Sequence, residues 1–499
     1  MSHGTRRHFI SQQAFGLGSL GLAWLLNQDN LLADPTKPEL ERRTFDLKPR
    51  PPVHTPQATG MISMFMQGGP SQVDLFDPKP ELNRRHLQDY IGDIHYDAVG
   101  QASTKLFAGP WKFSKRGECG MELSELLPHL GRIADDICLI RSMHTGISGH
   151  EPSIRAMNTG RFLHGRPSLG SWMVYALGSE NQDLPAFMVL RDPTGTPVLS
   201  VENWQNAWLP SIFQGTVVRP QEPRIANLEP PASLRGETQH RLLSYLQGIN
   251  RDHLERHPGE HDMAARMQSY EMAARMQVAA KEALDISQET AWAHKLYGID
   301  DPVTRDYGTR CLIARRLIER GVRFVQIFSG NQHWDHHSGI VKSLPDVCRK
   351  TDKPAAALVM DLKRRGMLDT TLVHWGGEMG RLPVIQNEKN IGRDHNGRGF
   401  SMWLAGGGVK AGCVHGETDE VGHKAVEDVV NHYDYHATLL YLFGLDSQQV
   451  SFTRANGIGS LIDGQPGQVV APILQRPPQP LAQGHQEIPH LAGLLKLPR

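Results

Sequence analysis

Histidine and acidic side chains gather in the second half of the chain, and their spacing suits metal chemistry. Nine of the 25 histidines fall between His333 and His436. The densest group is Gly330-Asn331-Gln332-His333-Trp334-Asp335-His336-His337. On an extended segment, residues at i, i+2 and i+4 point the same way. His333, Asp335 and His337 would then converge as three metal ligands. Imidazole with carboxylate suits zinc, manganese or iron better than calcium. The competing reading is a polar loop whose histidines bond backbone or water.

Other residues have the right chemistry to join such a site. Glu378 and Arg381 stand in Gly376-Gly377-Glu378-Met379-Gly380-Arg381. A carboxylate there can bind a metal, and an arginine can hold an anionic oxygen bidentately. An internal Glu–Arg ion pair is the plainer alternative. Asp394-His395, within Gly392-Arg393-Asp394-His395-Asn396, suits a metal or a carboxylate orienting an imidazole. Thr145 and Ser148 supply hydroxyls near the start of an expected helix, where an anion is favoured. Asp434 reads as a helix cap, and His415 and His423 as solvated loop residues.

These residues are useful only if elements bring them together. Apolar runs at 60–67, 137–143, 186–190, 322–328, 371–375 and 400–405 read as strands. Helical spacing marks 304–320, 354–365 and 433–443. Gly321 and Gly444 are placed to stop the first and last of these. Strands alternating with helices predict a three-layer αβα sandwich on a largely parallel mixed sheet. Ligands bind at the carboxyl ends of the strands in such sheets. The polar loops above follow strands in that topological sense. Residues 257–297 are a long helical stretch with a repeated Met-Ala-Ala-Arg-Met-Gln at Met263 and Met272. It belongs to a helical insertion over about 230–297, with methionine as adaptable filler.

The ends and the composition constrain where the chain works. Thr5-Arg6-Arg7-His8-Phe9-Ile10 precedes an apolar stretch from Ala14 to Leu26. A basic start, a short apolar core and a small-residue break mark a targeting segment, and the paired arginines select the twin-arginine route. The signal peptide covers 1–33, with the cleavage position open. The expected location is the periplasm or the extracellular space. The apolar stretch is shorter than the roughly 20 residues a bilayer requires, and no later segment is apolar enough to span. Export of a folded chain is a hint of a cofactor. Residues 34–58 read as a linker, 59–465 as the main domain, and 466–499 as a Pro/Gln-rich tail. Lys+Arg and Asp+Glu are equal at 53 each, so a nucleic-acid partner is not favoured. Five cysteines without a CxxC do not indicate a disulfide framework.

Taken together, GGPSQVDLFDPKP (68–80), NTGRFLHGRPSLGSW (158–172), LPAFMVL (184–190), WDHH (334–337), GGEMGR (376–381), GRDHN (392–396) and HGETDEVG (415–422) resemble a family of exported bacterial proteins. That family is labelled sulfatase-like, is a domain of unknown function, and sits in the alkaline phosphatase superfamily. The resemblance runs from about residue 60 to 465 and implies an alkaline phosphatase-like fold. True sulfatases carry Cys-x-Pro-Ser-Arg followed by Thr-Gly-Arg. Here His150-Glu151-Pro152-Ser153-Ile154 leads to Thr159-Gly160-Arg161. His150 therefore replaces the formylglycine precursor, and a formylglycine mechanism is excluded. The acidic pair expected after the first strand falls on Gly68-Gly69.

The resulting expectation is an exported, metal-dependent hydrolase of phosphate or sulfate esters on small molecules or polysaccharide. Its metal set would be His333, Asp335, His337, Glu378, Asp394 and His395, holding zinc or another divalent transition metal. His150 would be nucleophile or general acid, with Thr145 and Ser148 as hydroxyl candidates and Arg381 on the anion. The alternative is a non-catalytic exported binding protein for sulfated polysaccharide or an envelope partner.

Overall fold

The computed structural model describes residues 45–478 apart from 93, 95, 97–102, 227, 258–260, 455 and 456. The expected signal peptide (1–33) and the end of the tail lie outside the described residues.

The central sheet has nine strands. They are β1 (Gly60–Phe65), β2 (Ile137–His144), β3 (Phe187–Leu190), β4 (Thr216–Val218) and β5 (Phe324–Phe328). The others are β6 (Thr371–Gly376), β7 (Phe400–Ala405), β8 (Cys413–His415) and β9 (Val430–Asn431). The order is β8-β2-β7-β6-β1-β5-β3-β4, with β9 also on β2. All six runs read as strands are in the sheet, with ends moved by no more than two residues. The short strands β4, β8 and β9 carry no pattern long enough to read.

Alternation along the strands divides the interior into two cores. In β1, Ile62 and Met64 face one side while Met61 and Phe65 face the other. Successive side chains of a strand point to opposite faces. The first core packs on α4 (His261–Leu284), α6 (Arg305–Glu319) and α7 (Ile340–Arg364). The second packs on α1 (His150–Thr159), α2 (Leu169–Leu177) and α8 (His432–Leu442). The architecture is the three-layer αβα sandwich.

Strand direction sets where the loops go. β1 pairs parallel with β5 and β6, and β3 pairs parallel with β5 and β4. β7 runs antiparallel to both β6 and β2, so β2 points the same way as β1, β5 and β6. The loops after β1, β2, β5 and β6 therefore leave one edge of the sheet. Residues just before β7 enter at that same edge.

Several boundaries differ from the sequence reading. α7 starts at Ile340 and runs through Pro345 and Pro354. An interior proline costs about 3 kcal/mol. A continuous buried face from Ile340 and Leu344 through Val347, Ala355 and Leu362 offsets that cost. Asp434 does cap α8, from the third position of the helix. Asn431 is its N-cap, and Asp434, three residues on, returns a bond to the Asn431 N–H as a capping box. Within the segment read as a linker, 45–58 packs on the domain, with Leu47 and Ala58 buried. The Arg50 guanidinium donates to the Tyr175 carbonyl at 3.0 Å. At the other end, Ile473 and Leu474 of the expected tail are buried.

The helical insertion comprises α3 (Glu237–Arg256), α4 and α5 (Ala291–Tyr297). Met272 and Met276 of α4 are buried in the core, as adaptable filler should be. No helix among the described residues is long and apolar enough to cross a membrane.

Candidate metal centre

Four side chains converge at the carboxyl edge of the sheet: His150, Asp335, His337 and His395. One donor atom from each lies within 4.8 Å of the others. His150 is the first residue of α1, just after the β2 loop. Asp335 and His337 follow β5 in the turn that leads to α7. His395 lies in a two-residue strand paired with Gly380–Arg381, directly opposite Arg381.

Asp335 is at the centre. Its Oδ2 is 3.3 Å from the His150 Nε2. Its Oδ1 is 2.9 Å from the His337 Nε2 and 3.4 Å from the His395 Nε2. Bonds of about 2.0–2.2 Å in a tetrahedron separate neighbouring donors by roughly 3.3–3.6 Å. The Asp335–imidazole separations of 2.9, 3.3 and 3.4 Å reach or fall just short of that spacing, and the donor types suit a transition-metal ion. The outward-facing nitrogens fit as well. His150 Nδ1 is 2.8 Å from Glu378 Oε1, and His337 Nδ1 is 2.6 Å from Gln386 Oε1. A ligating histidine characteristically gives its other N–H to a carboxylate or amide oxygen.

Electrostatics hold the cluster together. Burial by itself would raise the Asp335 carboxyl. Hydrogen bonds with His150, His337 and His395, and the Arg381 charge, reverse that and hold it well below the usual carboxylate range. Burial would lower His150, but Asp335 and Glu378 raise it to about 9.

Three residues read as ligands, His333, Glu378 and Asp394, take other positions. The chain turns over 331–334 instead of extending, so the i, i+2, i+4 alignment fails and His333 is not in the cluster. Its ring folds back over Gly330, where an added Cβ would meet it at 2.0 Å. Asp394 is buried, and its Oδ1 accepts the His395 N–H at 2.8 Å. That oxygen is 3.8 Å from His337 Nδ1, so Asp394 shapes the loop. Glu378 stands behind His150. Its Oε1 also accepts the Gly68 N–H at 2.9 Å, while its Oε2 is buried without a hydrogen-bond partner. Gly68 has φ +116°, and an added Cβ would lie 2.6 Å from the Asp335 nitrogen. Only glycine permits that approach.

Arg381 does not present itself to an anion. It is fully buried. Its Nε donates to the Gly69 carbonyl at 3.0 Å and its Nη1 to the Arg393 carbonyl at 3.1 Å. Its Nη2 donates to the Gly68 carbonyl and, at 2.5 Å, to Asp335 Oδ1. The Thr145 hydroxyl is likewise committed, donating to the Ile147 carbonyl at 3.1 Å. Ser148 lies in the same loop, two residues before His150.

Two supports escaped the sequence reading. Gln386 orients His337, and a neutral amide in a loop gives no signal in composition. Arg393 forms a fully buried pair with Asp74, with bonds of 2.7 and 2.9 Å. It locks the loop carrying His395 onto the loop after β1. The arginine is visible in GRDHN, but its partner lies far away in the chain.

Fold and cluster define an α/β-sandwich protein with a histidine–carboxylate centre at the carboxyl edge of its sheet. The chain belongs to the family described as Protein of unknown function (DUF1501), whose model matches residues 58–474. No curated protein matches the chain by sequence. Among solved structures it is similar to the PsFucS1 sulfatase from Pseudoalteromonas sp., at 13% identity and TM-score 0.34, covering 78% of this chain and 68% of that one. It is similar to the phosphonate monoester hydrolase SpPMH from Silicibacter pomeroyi, at 9% identity and TM-score 0.35, covering 86% and 78%. It is also similar to the lipoteichoic acid synthase LtaP from Listeria monocytogenes, at 9% identity and TM-score 0.32, covering 79% and 73%.

Proposed function

We propose that this chain is an exported, metal-dependent hydrolase of phosphate or sulfate esters that works without formylglycine. One observation carries the reading. His150 and His337 turn Nε2 towards Asp335 while Nδ1 is held by Glu378 and Gln386. That polarity is what metal ligation requires of a histidine. His150, Asp335, His337 and His395 would hold one divalent transition metal. When bound, the ion supplies a Lewis acid and an activated water at neutral pH.

The chain's own residues do the rest. Glu378 keeps the His150 ring in one tautomer and orientation. Arg381 fixes Asp335 and braces the backbone of Gly68 and Gly69 beneath it. His337 has the most exposed side chain of the ligand set, at 34%, so an ester would approach from that side. Export rests on Arg6-Arg7 and the apolar stretch behind them.

The test uses the full chain. Elemental analysis should find a bound transition metal, and aryl phosphate or aryl sulfate esters should turn over. No metal and no turnover of either ester overturns the proposal.

The full engagement of Arg381 and Thr145 favours a second reading, a non-catalytic binding protein for sulfated polysaccharide. Retention of sulfated glycan by the Asp335→Ala, His337→Ala double variant, without ester turnover by the parent, supports it over the hydrolase.

A further inference from the structure

Five cysteines are free, and two of them face each other across neighbouring strands. Cys138 on β2 and Cys413 on β8 are direct partners in the parallel register. Neighbouring strands run about 4.7–4.9 Å apart. A disulfide spans roughly 4.4–6.8 Å between α-carbons. Cys138 is buried, whereas Cys413, on the outer strand of the sheet, is partly exposed.

We propose that Cys138 and Cys413 are a dithiol site that reacts with small disulfide oxidants and closes to a cross-link between β2 and β8. The accessible Cys413 thiolate attacks one sulfur of the oxidant. A mixed disulfide forms and one thiolate leaves. The Cys138 thiol loses its proton to solvent and attacks the Cys413 sulfur, releasing the second thiolate. The oxidant gains two electrons and the cysteine pair gives up two, so the step balances.

The surroundings suit this division of roles. The two thiols interact, and that interaction lowers Cys413 to about 6 and raises Cys138, which burial raises further. The Lys410 ammonium adds positive charge beside both. Reactive cysteines sit in partly exposed, electropositive places, and the thiolate is the attacking form. The link would pin the outer strand of the sheet to β2, which leads through Thr145 and Gly149 to His150. Cys119 is the competing partner. It is exposed, and its Cβ lies 3.1 Å from where a Cβ on Gly412 would be.

The test treats the folded full chain with oxidised glutathione and maps its peptides without reduction. The parent should yield a 138–413 linked peptide, and free thiols in the denatured chain should fall by two from the five present. Cys138→Ser should stop at a stable glutathione adduct on Cys413, and Cys119→Ser should still close the 138–413 link. Cys413→Ser, at the more tolerant exposed position, should give neither link nor adduct at 138. A link from Cys413 to Cys119, or no adduct on Cys413 in the Cys138→Ser chain, overturns the proposal.

Discussion

The Nδ1 atom of His150 lies 2.8 Å from Oε1 of Glu378, and that bond fixes which way the imidazole faces. With Nδ1 directed at the carboxylate, Nε2 is left for Asp335 and the centre. The same oxygen of Glu378 also receives the Gly68 N–H. The carboxylate thus couples the helix carrying His150 to the loop after β1.

Glu378→Gln tests this coupling. The variant keeps an acceptor of the same shape but removes the charge that raises imidazole basicity. It also puts an amide nitrogen where the buried Oε2 has no hydrogen-bond partner. Loss of such a support typically costs 10–100-fold in metal affinity. A competition titration with a chromophoric chelator should read a loss of about that size. An unchanged affinity would remove Glu378 from the centre.

Metal stoichiometry follows from Arg381. Its Nη2 is 2.5 Å from Asp335 Oδ1, where a second cation would otherwise share the carboxylate. Two-metal sites place their ions about 3.5–4 Å apart. A second ion here would have to expel a fully buried guanidinium that also binds the carbonyls of Gly68, Gly69 and Arg393. Elemental analysis of the loaded chain should therefore give about one equivalent, the number one carboxylate-centred histidine set supports. A value near two would show that Arg381 moves.

Asp74→Ala should weaken the whole protein. Asp74 and Arg393 are both fully buried and joined by two hydrogen bonds. Removing one partner of a buried pair costs about 3–5 kcal/mol, because the other charge is left uncompensated. The midpoint of denaturant unfolding should fall accordingly. The centre should suffer too, since Arg393 also donates to the Phe107 carbonyl at 2.8 Å and holds the loop that ends in His395.

The sheet was legible because fully buried strands are nearly continuous apolar runs, as in Gly60–Phe65 and Phe400–Ala405. The reversed direction of β7 was not legible, since a run reads alike whichever way its neighbours point. Of the four clustered side chains, Asp335, His337 and His395 were read as ligands from residue type, whereas His150 was singled out by its place before Glu151-Pro152-Ser153 as a nucleophile or general acid, not as a ligand. His333 misled because the alignment assumed an extended backbone, and the chain turns at 331–334. Arg381 misled for a related reason. A guanidinium beside glycines suits an anion or a backbone carbonyl equally, and only packing decides between them.

Acid should unfold the protein through buried histidines outside the candidate ligand cluster. His374, His432 and His436 are buried, and burial lowers them to about 3, about 3 and about 4. Their proximity adds to this, because His436 disfavours a second charge on His374 and on His432. Partners are few. Ser63 lies 3.1 Å from His374 Nδ1, and the Ala156 carbonyl lies 3.0 Å from His436 Nε2. Neither His432 nitrogen has a hydrogen-bond partner. The folded state keeps these rings neutral, whereas the unfolded chain protonates them near pH 6.5. The unfolded state therefore binds more protons below that pH, and stability must rise with pH across the window. It is fully present above about 6.5 and is lost as pH falls towards 4 and 3. Each group contributes about 1.4 kcal/mol per pH unit inside its window. Thermal unfolding of the metal-free chain between pH 7 and 4 should show a steep fall. His374→Gln, His432→Gln and His436→Gln should each flatten it, and an unchanged slope in all three would exclude these histidines as the cause.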